Sequence, residues 1–204
     1  MQARPLAVSG AWELTPVQHR DERGTFLEVF SDSALRAATG CGLKIAQVNT
    51  SVSKAGVVRG IHLSDVPPGQ AKYVTCARGA VLDVVVDLRV GSPTFATWEG
   101  VLLDEVDRRA VLVPEGLGHG FCALTPEATV TYLCSTGYAP QHERSVNPFD
   151  AELAIAWPRE DLEGNPLELF TSAKDAAAPS LSEAVRSGIL PRLADVEAFL
   201  AAED

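Results

Sequence analysis

His62, Lys72 and Tyr132 lie in apolar, strand-like stretches where Val or Ile would cost far less to bury. A base, a cation and a phenol together supply what proton abstraction beside a ketone requires. The base removes the proton, a positive donor holds the enolate oxygen, and an acid returns a proton from the opposite face. That order of events inverts a carbon. Each residue alone also has an ordinary structural reading: a hydrogen-bonded core histidine, a lysine snorkelling at a barrel mouth, a tyrosine with a satisfied hydroxyl. Their shared placement on faces with small apolar neighbours favours a ligand cavity. Arg23 in HRDERGTFLEVF and Arg59 just before His62 are candidate anion clamps.

The elements that must position them are short and β-rich from about residue 10 to residue 138, among them GTFLEVF, IAQVNTSV, GVVRGIHL, AVLDVVVDLRV and ATVTYLC. Gly, Pro, Asp and Ser punctuate these runs, which predicts antiparallel strands closed into a sandwich or barrel. VVRGIHLSDVPPGQAKYV (57–74) reads as a hairpin whose Pro-Pro-Gly turn sets His62 and Lys72 side by side. Strict alternation puts Val58, Gly60 and His62 on one face and Arg59 on the other, unless the strand bends at Gly60. Lys72 shares a face with Val74 and Cys76, and Tyr132 with Val130 and Cys134. In VLDVVVDLR, Leu82, Val84, Val86 and Leu88 oppose Asp83, Val85, Asp87 and Arg89.

Three helices are expected. SDSALRAATG carries Ser31 or Asp32 as cap and Gly40 as stop, and PSLSEAVRSGIL offers a capping box from Ser180 and Glu183. LADVEAFLAA presents Leu193, Val196 and Leu200 as an apolar stripe. The expected organisation is a single domain over 1–204: a core with N-terminal strands over 1–158, and a loop with helices over 159–204. That last segment is too short to fold alone and must pack on the barrel.

The net charge of −10 argues against a nucleic-acid partner, which needs a basic footprint. The opening residues lack an apolar signal core, and no long apolar run follows, so no membrane partner and a cytoplasmic location are expected. Cys41, Cys76, Cys122 and Cys134 show no CxxC spacing, which disfavours a zinc or redox motif. PEGLGHGF matches the later half of the metal motif of cupins, with Pro114, Gly116 and His119. The first half is missing, because Leu63 and Ser64 follow His62 where HxH would stand. Two histidines do not make a transition-metal site without further ligands, so no metal and no cofactor are expected. A metal-dependent cupin and a non-catalytic binding module remain the competing readings.

DERGTF, VVRGIH, PGQAKYV, DVVVDLRVGSPTF, VPEGLGHGF, YAPQHER, IAWP and SAKDAAAP occur in that order and cover most of the chain. In these motifs the sequence resembles the dTDP-4-dehydrorhamnose 3,5-epimerases and their relatives in antibiotic deoxysugar pathways. The resemblance implies an all-β, cupin-type double-stranded β-helix, or jelly roll, with a few short helices, mainly C-terminal. It implies a cofactor-independent homodimer acting on a dTDP-4-keto-6-deoxyhexose at C3, C5 or both. By the resemblance His62 is the base, Asp175 orients it, Lys72 stabilises the enolate and Tyr132 is the acid. Asp83 and His119 would line the sugar pocket. Gln47, Asn49, Arg59, Glu143 and Lys174 would bind the nucleotide sugar, with Tyr138 stacking. Arg23 and Glu28 would reach across from the neighbouring subunit. Leu63 stands where the family usually carries an aromatic, and Val48 where it carries an acid; Leu63 is expected to bear on which carbon the base reaches. Retention of Tyr132 favours 3,5-epimerisation, with a single-carbon enzyme as the alternative.

Overall fold

A computed structural model describes residues 1–203. The N-terminal elements are β1 (Gln2–Pro5), β2 (Trp12–Thr15), β3 (Gln18–Asp21), β4 (Gly24–Leu27) and α1 (Asp32–Thr39). The barrel strands follow as β5 (Gln47–Ser53), β6 (Val58–Ser64), β7 (Lys72–Arg78), β8 (Ala80–Asp87) and β9 (Trp98–Asp104). β10 (Ala110–Val113), β11 (Leu117–Ala123), β12 (Ala128–Cys134) and β13 (Glu143–Ser145) complete them. The C-terminal segment carries α2 (Ala173–Ala176), α3 (Leu181–Ser187) and α4 (Leu193–Glu203).

The strands form a six-stranded sheet, β1-β2-β10-β7-β12-β5, and a five-stranded sheet, β13-β6-β11-β8-β9, while β3 and β4 pair only with each other. The two large sheets pack face to face as a jelly roll. Val74, Cys76, Val111 and Val130 of the first meet Val85, Val101 and Phe121 of the second in the central core. Because side chains alternate, each sheet also has an apolar outer face that needs a cover. On the five-stranded sheet Ile61, Leu63, Val84 and Val86 lie beneath Leu153, Trp157, Leu167, Leu181 and Leu190 of the C-terminal segment. On the other, Tyr73, Leu112 and Leu133 lie beneath Leu35 of α1 and Leu43.

The local signals for helices read true. The Ser31 hydroxyl accepts from the Ala34 N–H, and Gly40 ends α1 at φ 78°. Ser180 and Glu183 form a reciprocal capping box at α3. The stripe expected on α4 differs: Val196 is buried and Leu200 is exposed, because the helix docks by one edge only. Cys76, Cys122 and Cys134 are buried free thiols and Cys41 is exposed.

The hairpin reading of 57–74 is corrected. β6 and β7 belong to different sheets, so Asp65–Ala71 is a crossover from one wall of the barrel to the other. The expected alternation of β6 is also corrected. His119 pairs with His62 and Phe121 with Arg59, so Gly60 and Ile61 together face Gly120. This two-against-one bulge re-aims the strand. Val58 then joins the outer layer with Ile61, while Arg59 and His62 both face the interior.

Gly60 permits the bulge. It sits at φ 123°, and a Cβ there would meet Gly120 Cα at 2.6 Å and the His119 carbonyl oxygen at 2.8 Å. Gly60→Ala is therefore expected to destabilise the protein by about 1–3 kcal/mol, as overpacking does. Urea denaturation checks the value; an unchanged midpoint would show that the bulge tolerates a side chain.

Candidate active site

A cleft of about 240 Å³ opens between the sheets, and each sheet supplies one wall. Asn49, Ser51, Lys72 and Tyr132 line it from the six-stranded side. Arg59, His62, His119 and Glu143 line it from the five-stranded side.

His62 is held from behind. The chain at Phe170 is stitched to the start of β6, with Val58 N–H donating to the Phe170 carbonyl at 2.8 Å and Phe170 N–H to that of Gly56 at 3.0 Å. The Thr171 hydroxyl donates to the Val58 carbonyl at 2.7 Å, and Ser172 caps α2 through the Asp175 N–H at 3.0 Å. These bonds bring Asp175 Oδ1 to 2.7 Å from His62 Nε2 across a sequence separation of 113. Burial alone would raise the Asp175 carboxyl. The His62 bond, helped by Ser172 and the Gly60 N–H, instead holds it below its usual range. An ionised carboxylate only accepts, so neutral His62 donates from Nε2 and keeps its lone pair on Nδ1. Asp175 is buried while the His62 side chain is 39% exposed, which leaves the ring open to a ligand.

His119 and Asp83 form a second such pair, Nε2 to Oδ2 at 2.8 Å. His119 lines the cleft, whereas Asp83 is wholly buried behind it and does not itself form the wall. The expectation for Asp83 is corrected to that extent: β8 lies on the far side of β11 from β6.

Lys72 is 7% exposed and stands opposite Cys134 in the β7–β12 register. Burial lowers its pKa from the ordinary lysine value, while Cys134, Glu143 and Glu115 oppose the shift. Its ammonium has no hydrogen-bond or ion-pair partner among the described residues. Burial, with Cys134, raises the Tyr132 phenol, and Arg59 works the other way. The phenol, protonated at neutral pH at its ordinary value, holds its proton more tightly still.

Amide side chains link the mouth of the cleft to its floor. The Tyr138 N–H donates to Gln47 Oε1 at 2.8 Å, and Gln47 Nε2 donates to Asn49 Oδ1 at 2.7 Å. Asn49 Nδ2 approaches Cys134 Sγ at 3.7 Å. Arg59 is set by Nε donating to Ser53 Oγ at 3.1 Å, and Glu143 accepts from Ser64 Oγ at 3.2 Å. Lys174 reaches the rim from α2.

Arg23 and Glu28 are exposed and do not line this cleft; Arg23 pairs with Asp21 on the β3–β4 hairpin. Leu63 is buried in the outer layer, facing away from the cleft, and Val48 points to solvent, so neither lines it. Gln70, Ser51, Phe121, Arg144 and Ser145 also line the cleft and were not singled out from the sequence. Period-two spacing from Lys72 to Gln70, from Asn49 to Ser51 and from His119 to Phe121 was the available signal. Among the described residues, no group of three or more His, Cys, Asp and Glu side chains is placed to hold a metal ion. Among the described residues, no helix is long and apolar enough to cross a membrane.

The profile of the dTDP-4-dehydrorhamnose 3,5-epimerases matches residues 5–183. The chain belongs to that family. It is 53% identical over 200 residues to the dTDP-4-dehydrorhamnose 3,5-epimerase of Mycolicibacterium smegmatis, covering 98% of this chain and 96% of the relative. It is 55% identical over 198 residues to the dTDP-4-dehydrorhamnose 3-epimerase of Streptomyces niveus, covering 97% and 92%. The crystal structure of ChmJ, a 3'-monoepimerase from Streptomyces bikiniensis in complex with dTDP-quinovose, superposes with a TM-score of 0.90 at 48% identity, covering 98% of each chain. The ChmJ structure thus shares the fold, and all three relatives share about half of the sequence with this chain.

Lys72 should lose its charge below pH 10.5, since burial favours the neutral amine and the charge disappears as pH rises through the lowered value. Side-chain NMR of lysine Nζ reads this transition. Cys134→Asp, which sets a carboxylate opposite the ammonium, is expected to move it upward; a Lys72 transition at the ordinary value in the unsubstituted protein would contradict the geometry.

Proposed function

We propose that the protein epimerises a dTDP-4-keto-6-deoxyhexose without a cofactor, by proton abstraction beside the C4 ketone. The observation that carries this reading is the placement of His62 and Tyr132 on opposite walls of one cleft, with the unpaired Lys72 ammonium on the strand next to that of Tyr132. His62 Nδ1 takes the proton from the carbon next to the ketone, and ionised Asp175 stabilises the imidazolium that forms. The electrons move onto the ketone oxygen, where Lys72 supplies the positive donor. Tyr132 returns a proton from the other face, so the carbon inverts.

His119 and Glu143 bound the sugar, with Asp83 holding the His119 ring. Arg59 and Lys174 suit the diphosphate, because each presents a cation at the rim. Gln47 and Asn49 spend one N–H and one carbonyl on each other and on their neighbours, which leaves amide N–H groups for the nucleotide. Tyr138, 62% exposed at the mouth, offers a stacking surface for the base. Since Asp175 comes from the C-terminal segment, barrel and segment act as one folding unit.

A homodimer fits the hairpin. β3–β4 pairs with neither sheet, holds Phe26 at 72% exposure and carries Arg23 toward solvent, with Glu28 just beyond it. A second copy gives these residues a cleft to reach and a cover for the exposed ring. The favoured outcome is inversion at both C3 and C5, because Tyr132 can serve either; C3 alone is the second reading, as relatives of both kinds are similar to the chain, at 53% and 55% identity.

NMR of dTDP-4-keto-6-deoxyglucose with the protein in heavy water is the test. Loss of both H3 and H5 signals is expected, loss of one assigns a single carbon, and loss of neither overturns the epimerase. His62→Ala should slow exchange by about 10²–10⁴-fold, the usual worth of a general base, with circular dichroism showing that the variant still folds. Near-normal exchange would remove His62 from the role.

A further inference from the structure

Lys72, Tyr132 and the rim arginine are donors, yet a sugar presents hydroxyls that also need acceptors. Gln70 meets that need. It lines the cleft two residues before Lys72, on the same side of the chain, while Ala71 between them packs into the outer layer.

Its amide is not free to turn. The Gln70 side chain donates from Nε2 to the Thr136 carbonyl at 3.0 Å. Thr136 is itself anchored, its hydroxyl donating to the Gly69 carbonyl at 2.8 Å. On the next residues, Ala71 N–H donates to Ser135 Oγ at 2.8 Å and Ser135 N–H donates to the Ala71 carbonyl at 3.0 Å. Four hydrogen bonds therefore clasp 69–71 against 135–136. A carbonyl can only accept, so a flipped amide would set oxygen against oxygen and lose the bond. The clasp thus fixes Nε2 toward Thr136 and leaves Oε1 as an acceptor. Oε1 meets no donor among the described residues, and it is not among the buried atoms that lack a partner.

We infer that Gln70 is a specificity residue for the sugar ring: Oε1 accepts a hydrogen bond from a hydroxyl on C2 or C3 of the ketosugar. The inference rests on the ketosugar reading above and extends it to a group that takes no part in proton transfer. An acceptor with one fixed orientation rewards a hydroxylated ring and is left unpaired by a deoxygenated one. A site built to pair a hydroxyl discriminates through that unpaired group.

The test compares kcat/KM for proton exchange on three substrates: dTDP-4-keto-6-deoxyglucose and its 2-deoxy and 3-deoxy forms. Gln70→Met, close in shape but without the acceptor, should lose about tenfold on the parent sugar. On the analogue that lacks the partner hydroxyl, the same substitution should cost nothing further, and which analogue behaves so assigns the hydroxyl. Gln70→Leu repeats the measurement with a second shape, and thermal melts confirm that both variants fold. An equal loss on all three sugars, or no loss on the parent, overturns the assignment. Absence of exchange by the unsubstituted protein on every sugar would instead overturn the epimerase reading beneath it.

Discussion

One hydrogen bond, His62 Nε2 to Asp175 Oδ1, ties the chemistry of the cleft to the whole of the fold. It cannot form unless the C-terminal segment lies on the five-stranded sheet, and that docking is driven by an apolar layer. Leu153, Trp157, Leu167, Leu181 and Leu190 cover the outward side of β6, β8 and β11. Burial of that layer brings a carboxylate to the back of an imidazole that opens forward into the cleft. The tautomer, the ring orientation and the free Nδ1 follow from the one contact.

The inward face of the same strand depends on a departure from regularity. A regular β6 would have carried Arg59 to the outside with Leu63. The extra residue opposite Gly120 puts both Arg59 and His62 into the interior, where one can meet an anion and the other a carbon acid. Two constraints of different origin, apolar burial outside and a glycine bulge inside, therefore converge on seven residues of strand.

Much of this was legible in the sequence, and the limits have physical causes. Alternation in β7, β8 and β12 placed Lys72 and Tyr132 on inward faces because those strands are regular there. Caps gave α1 and α3 their ends because capping is local. The Asp175 pairing was open only to family resemblance, since no local signal links residues 113 positions apart. Alternation failed at β6, where an inserted residue shifts the phase. It failed in another way at Asp65–Ala71, where a Pro-Pro-Gly turn looks the same whether it closes a hairpin or crosses between sheets. Leu63 lies beneath Trp157's layer and does not line the cleft, a placement that alternation from an inward His62 already gives.

That His62 and Tyr132, the proposed base and acid, stand on separate sheets has a mechanical corollary. Facing sheets sit about 10 Å apart, and the gap is set by the side chains between them. Here those include Val74, Val85, Phe121 and Val130, apolar side chains that carry no proton to transfer. The hydrophobic core acts as a calliper whose jaws are the two walls of the cleft. Altering the bulk of a buried valine would reset the jaw opening, and with it the reach of base and acid to one ring carbon or two. Regiochemistry could drift in this way through interior repacking, with the same reactive side chains in place throughout.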